Sequence, residues 1–194
     1  MDYIENASTD HHRHSIRLKT FDYTQDGAYF ITACTHEREC LFGNIIDGTM
    51  TLNSPGQIVQ DVWSELPRHY HHVGLDAFVI MPNHVHGIIL FLSDPVGAGF
   101  KPALATRSPL SEIVRAFKTF SSRRINTLRL TPGTAVWQRN YYEHVARDED
   151  DLQRLRQYIT DNPARWADDE NNPFWNSSRF QPRGKSVACR AVLP

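Results

Sequence analysis

Two runs of apolar and β-branched residues, Val73 to Met81 and His84 to Leu92, are separated only by Pro82-Asn83. So short a turn signal between such runs dictates a tight antiparallel hairpin, and with it an antiparallel sheet at the centre of the fold. Ala28 to Thr35 reads as a strand opened by Asp26-Gly27, and Phe42 to Met50 as a short hairpin around Asp47-Gly48. Asn53 or Ser54 caps a helix with Pro55 at its first position. Ile58, Val59, Val62, Trp63 and Leu66 recur there at helical spacing, and Pro67 is expected to stop the run. Ser108-Pro109 opens a second helix, with Ile113, Val114, Phe117, Phe120 and Ile125 on one side and arginines on the other. Ala135 to His144 reads as a fourth strand. Asp148 caps a third helix over 148–162, with Leu152, Leu155 and Ile159 as its buried stripe and Pro163 at its end. The order predicts an α+β fold of the ferredoxin-like (RRM-like) βαββαβ type. Its antiparallel sheet carries two helices on one face, and a further helix is added at the C-terminal end. Such a fold hosts unrelated activities and does not decide the function.

The 194 residues fit one domain, read as a lead-in over 1–20, a folded domain over 21–166 and a basic tail over 167–194. No apolar run approaches the roughly 20 residues of a membrane helix. The polar start MDYIENASTD lacks the layout of a secretory signal. Cys34, Cys40 and Cys189 form neither a disulfide framework nor a zinc-ribbon pattern. A cytoplasmic protein with no membrane partner is expected.

The net charge is −1, but the charges are segregated. Lys101 to Arg129 holds seven basic residues and one acid, Tyr141 to Glu170 nine acids and four bases, and 171–194 four bases and no acid. The two basic stretches suit a polyanion, although charge clusters are as often simply solvated faces.

In a strand, residues i and i+2 share a face, so His84 and His86 present two imidazoles side by side while Val85 points away. Neighbouring neutral imidazoles make a metal-ligand pair. The spacing alone is weak in a chain with ten histidines, and His12/His14 and His69/His71 repeat it. Only His84 and His86 sit inside the apolar run of a strand, where histidines are costly unless paired or used. The third helix offers Tyr158 and Asn162, four residues apart on one face. Spacing leaves two readings of them: a boundary tyrosine with a helix cap, or a phenol and an amide oxygen beside the histidines.

Six segments jointly resemble the REP-associated tyrosine transposases, relatives of the single-tyrosine insertion-sequence transposases with a histidine–hydrophobe–histidine motif. They are Ser15-Ile-Arg-Leu-Lys19, Gly27-Ala-Tyr-Phe-Ile-Thr32, MPNHVHGIIL, Ile113-Val-Arg-Ala-Phe-Lys118, VWQRNYYEH and Tyr158-Ile-Thr-Asp-Asn-Pro163. The resemblance implies that Tyr158 is the nucleophile and that His84, His86 and Asn162 hold Mg²⁺ or Mn²⁺. Asn162 falls where insertion-sequence relatives have a glutamine. The implied reaction is cleavage and rejoining of single-stranded DNA beside a palindromic repeat stem-loop, through a 5′-phosphotyrosine. Arg115, Lys118, Arg123, Arg124 and Arg139 are the expected DNA contacts, with aromatics of Trp137–Tyr142 available to stack bases. Tyr141 and Tyr142 are rival nucleophiles. They alternate faces on a strand, so at most one faces the histidines. Monomer and homodimer both remain open.

Two competing classes share parts of this pattern. A non-catalytic nucleic-acid-binding protein of the same fold places paired aromatics where this chain has histidines. A hydrolytic metal nuclease needs carboxylate ligands, and the one acid near the pair in sequence is Asp76.

Overall fold

The computed structural model describes residues 25–92 and 107–173. The expected lead-in, most of the expected tail, His11, His12, His14, Ser15–Lys19, Lys101 and Cys189 lie outside them. Among the described residues six strands and three α-helices follow in the order β1 (Gly27–Cys34), β2 (Gly43–Ile46), β3 (Thr49–Leu52), α1 (Ser54–His69), β4 (Val73–Ile80), β5 (His84–Phe91), α2 (Leu110–Arg129), β6 (Tyr142–Val145) and α3 (Glu149–Asp161). The main sheet runs β4-β5-β1-β6, antiparallel throughout. With β2–β3 set apart as a two-stranded sheet, this is the expected βαββαβ arrangement. Asp47 and Gly48 make the β2–β3 turn, both at positive φ, as a two-residue hairpin requires. Among the described residues no helix is long and apolar enough to cross a membrane.

Strand alternation gives the sheet two unlike faces. Tyr29, Ile31, Val85 and Ile89 pack against α1 and α2 through Val62, Trp63, Ile113 and Phe117. Phe30 and Ile88 point the other way and meet Leu155 and Ile159 of α3. Gly87 permits the close approach on the first face. A Cβ there would lie 2.6 Å from the Trp63 ring, which stacks on Phe78 at a 4.3 Å centroid distance. An Asp76–Arg156 ion pair at 2.6 Å ties α3 to β4, and Arg156 also reaches Glu149.

Two expected boundaries differ. Pro67 lies inside α1 instead of ending it. Pro67 sits in the last turn, where its missing N–H and the crowding of the carbonyl four residues back are tolerated, and the Tyr70 N–H still bonds the Leu66 carbonyl at 3.0 Å. The fourth core strand is only Tyr142–Val145, not Ala135 to His144. Upstream of it the chain makes one isolated bridge just past the end of β1, Thr35 to Trp137, through the Gln138 N–H on the Cys34 carbonyl and the His36 N–H on the Val136 carbonyl. The carbonyls of Gln138, Arg139 and Asn140 instead accept from the Lys118 ammonium at 2.5 to 3.3 Å. A side chain of α2 thus replaces a strand neighbour.

Candidate metal and phosphotransfer site

His84 and His86 begin β5 on the face that α3 covers, and both are fully buried. Their Nε2 atoms lie 3.0 Å apart. Asn83 orients the first imidazole. Its amide donates to the Arg38 carbonyl at 3.0 Å and to the Asn171 carbonyl at 2.7 Å, so its oxygen must face His84 Nδ1, 2.9 Å away. His84 Nδ1 therefore carries the proton and its Nε2 lone pair is turned into the site. His86 Nε2–H then donates to His84 Nε2, and His86 Nδ1 accepts from the Thr32 hydroxyl at 2.7 Å. Thr32 reaches it because the β1–β5 register sets these two residues opposite each other. A hydroxyl serves either tautomer, so His86 also has a partner when its Nε2 is the lone-pair atom.

Burial holds both imidazoles neutral. It lowers the His84 pKa from 6.5 to about 4, partly offset by the Asp169 carboxylate, and lowers that of His86 well below 6.5, with His84 adding to the effect. The unfolded chain thus binds more protons than the fold below pH 6.5. Without metal, stability is expected to be level above about pH 7 and to fall as pH drops from 6.5 toward 4. His84 alone accounts for about 2 kcal/mol by pH 5. Denaturant unfolding at both ends of this window checks it. The pH slope should shrink in His84→Gln, and an unaltered slope there contradicts the assignment.

Tyr158 comes from α3, half-buried, its ring edge-on to His86 at 5.1 Å and to Phe30 at 5.9 Å. Burial pushes its phenol up to about 12, while the nearby Asn162 carboxamide opposes the shift. Asn162 follows the last helical residue. Its amide oxygen is buried and meets no hydrogen-bond partner in good geometry, although the group lies close enough to raise the His84 proton affinity. After Asn162 a 3₁₀ segment, Pro163–Asp168, turns the chain back toward β5. It brings Trp166 to 6.0 Å from the His84 ring and an Asp169 oxygen to 3.6 Å from His84 Nε2.

The structure thus gathers Tyr158, His84, His86 and Asn162 from one chain. Thr32, Asn83 and Asp169 were not legible as site residues. Thr32 is found by strand register and Asp169 by the turn after α3, whereas Asn83 reads in sequence as a turn residue only. Asp76, the one acid near the histidines in sequence, is committed to Arg156, and Asp169 takes the place beside them. Tyr142 packs on Phe30 on the histidine side at 6.4 Å, while Tyr141 packs with the opposite core.

The expected DNA contacts divide. Arg115, Lys118, Arg123 and Arg139 line an open groove of about 1050 Å³ between α2 and residues 130–141, together with Trp137 and Tyr141. Within it Arg115 pairs with Glu112 and Lys118 is spent on three carbonyls, its pKa lowered by burial to about 8. Arg123 and Arg139 are exposed. Arg124 is not among the lining residues and pairs with Glu65 at 2.7 Å.

Among the described residues no three His, Cys, Asp or Glu side chains form a ready metal cluster. The donor set is instead two imidazoles and an amide oxygen, and it fits a divalent ion. Two donors at about 2.1 Å from one ion and at right angles lie about 3.0 Å apart, the observed Nε2 separation. The orphaned Asn162 oxygen would be the third donor.

No family model matches the chain. A Haemophilus influenzae protein of unassigned function is 41% identical over 172 residues, covering 82% of this chain and 93% of its own. A second protein of that organism, assigned as a REP-associated tyrosine transposase, is 22% identical over 159 residues and 82% of each chain. A solved REP-associated tyrosine transposase, bound to a REP hairpin, shares the fold with a TM-score of 0.55 at 19% identity, over 77% of this chain and 74% of the other. The chain is thus similar in sequence to one REP-associated tyrosine transposase and shares the fold of another.

Proposed function

We propose that this protein is a transposase-type transesterase that cleaves and rejoins single-stranded DNA beside a palindromic stem-loop, with Tyr158 as nucleophile. The observation that carries the reading is the convergence of a half-buried phenol on two neutral, oriented imidazoles and an orphaned amide oxygen. Two similar proteins are REP-associated tyrosine transposases by name, and the solved one is bound to a REP hairpin.

The Tyr158 oxygen attacks the scissile phosphorus in line. The bond from phosphorus to the 3′ oxygen breaks, the 3′ oxygen takes up a proton, and the DNA 5′ end remains on Tyr158 as a phosphotyrosine. Bond energy is retained in the ester, so a 3′-OH reverses the step and joins ends without a nucleotide cofactor. His84, His86 and Asn162 would hold Mn²⁺ or Mg²⁺, which when bound neutralises charge on the transferring phosphoryl group. Asn83 and Thr32 keep both imidazole lone pairs aimed. Phe30 and Trp166 wall the site with rings and limit water. The phenol, pushed up to about 12, stays protonated until substrate arrives. The groove along α2 offers Arg123 and Arg139 to phosphates and the half-buried Tyr141 to bases, whereas Trp137 is buried against Phe42 and Phe117 with its indole N–H on Ser121.

Incubating the full-length protein with labelled hairpin DNA carrying single-stranded flanks and Mn²⁺ should yield an SDS-stable adduct whose label maps to the Tyr158 peptide. Cleavage without an adduct would mean hydrolysis, and binding with neither would mean a non-catalytic DNA-binding protein.

A further inference from the structure

We propose that Asp169 is a carboxylate ligand of the same divalent centre, so that the ion is held by His84, His86 and an acid from the turn after α3 as well as by Asn162. The proposal rests on the metal reading above and adds a residue that the histidine–hydrophobe–histidine pattern does not contain.

Asp169 is anchored at one end and open at the other. Its Oδ1 accepts from the Asn171 backbone N–H at 2.7 Å and from the Asn171 side-chain amide at 3.0 Å. Its Oδ2 takes no hydrogen bond among the described residues and lies 3.6 Å from His84 Nε2. That nitrogen is the lone-pair atom, because Asn83 holds the proton on Nδ1. In that tautomer His84 Nε2 takes its one hydrogen bond from His86, while Asp169 Oδ2, 3.6 Å away, meets no donor among those described. The Asn162 oxygen is a second acceptor lacking a donor. A cation among them would pair the Asp169 charge and the Asn162 oxygen, and would take the place of the His86 proton at His84 Nε2. The Asp169 side chain is only 11% exposed, so water screens it poorly.

His84, His86 and Asp169 do not make a ready cluster, so an ion would have to draw them together; two of their separations already fit one. Donors at about 2.1 Å from one ion lie between about 3.0 Å apart at right angles and about 4.2 Å apart when opposite. The 3.0 Å between the imidazoles and the 3.6 Å from His84 to Asp169 both fall in that window. Adding a carboxylate oxygen to two imidazoles and an amide oxygen moves the donor set toward Mn²⁺. The same asparagine couples the parts: Asn83 orients His84 with its oxygen and holds the Asn171 carbonyl with its nitrogen, fixing the turn that presents Asp169.

The test is Mn²⁺ binding to the full-length protein without DNA, with free Mn²⁺ followed by electron paramagnetic resonance and the Mn²⁺-induced rise in melting temperature as a second readout. Asp169→Asn keeps the oxygen that accepts from Asn171, so its metal-free melting temperature should match wild type. Its Mn²⁺ affinity should fall about tenfold or more, and the Mn²⁺-induced rise should shrink with it. Asp169→Glu restores a carboxylate and should recover most of the affinity, and it carries the test if the asparagine variant fails to fold. Wild-type affinity in Asp169→Asn would overturn the proposal while leaving the histidine centre standing. Absence of Mn²⁺ binding by wild type would overturn both.

Discussion

Phenylalanine in place of Tyr158 is expected to abolish the covalent protein–DNA adduct and to lower strand cleavage by about 10⁴-fold or more, because no other atom replaces the attacking oxygen. The variant should still fold and bind DNA. The Tyr158 ring, edge-on to Phe30 and His86, keeps these contacts without its hydroxyl. A change in stability within about 1 kcal/mol is expected, since the hydroxyl gives up only its interaction with the Asn162 carboxamide at a half-buried position. The pair of measurements is a denaturing-gel adduct assay and a hairpin-binding titration. An adduct that persists in Tyr158→Phe would move the nucleophile to Tyr142, the other tyrosine on the histidine side of the sheet.

The largest stability effect is expected at Asn83. Asn83→Ala removes two donors and one acceptor from a fully buried position. The Arg38 and Asn171 carbonyls lose a partner, and so does His84 Nδ1–H. Each buried polar group left unsatisfied costs about 1–3 kcal/mol, so a total loss of about 3–5 kcal/mol is expected with partial relaxation. A lowered urea midpoint with an unaltered slope measures it. The same variant frees His84 to rotate and to exchange tautomers, so Mn²⁺ affinity should fall with stability. A loss below about 1 kcal/mol would show that the network is not structural.

The sequence carried the parts of this site that depend on local periodicity. A two-residue repeat placed both imidazoles on one strand face, and a four-residue helical step placed Tyr158 and Asn162 together. The hairpin at Pro82-Asn83 followed from its flanking apolar runs, since Ile80 pairs with Val85 and the Met81 N–H bonds the His84 carbonyl. The fourth core strand was overextended because β-branched and aromatic content does not report which residues find a partner. Lys118 took over the carbonyls of Gln138 to Asn140, and helical spacing showed only a lysine on the solvent side of α2.

What the sequence by itself determined is therefore the element order and the local placement of four residues: His84, His86, Tyr158 and Asn162. Each was placed by a period that acts over a few neighbouring positions. Tertiary structure alone decided what surrounds them. Thr32 meets His86 across 54 residues of chain, Asn83 bonds Asn171 across 88, and Asp169 reaches His84 only after the chain folds back under α3. These contacts follow from strand register and from a return turn. Both are settled by burying the two faces of the sheet at once, and no local pattern encodes that.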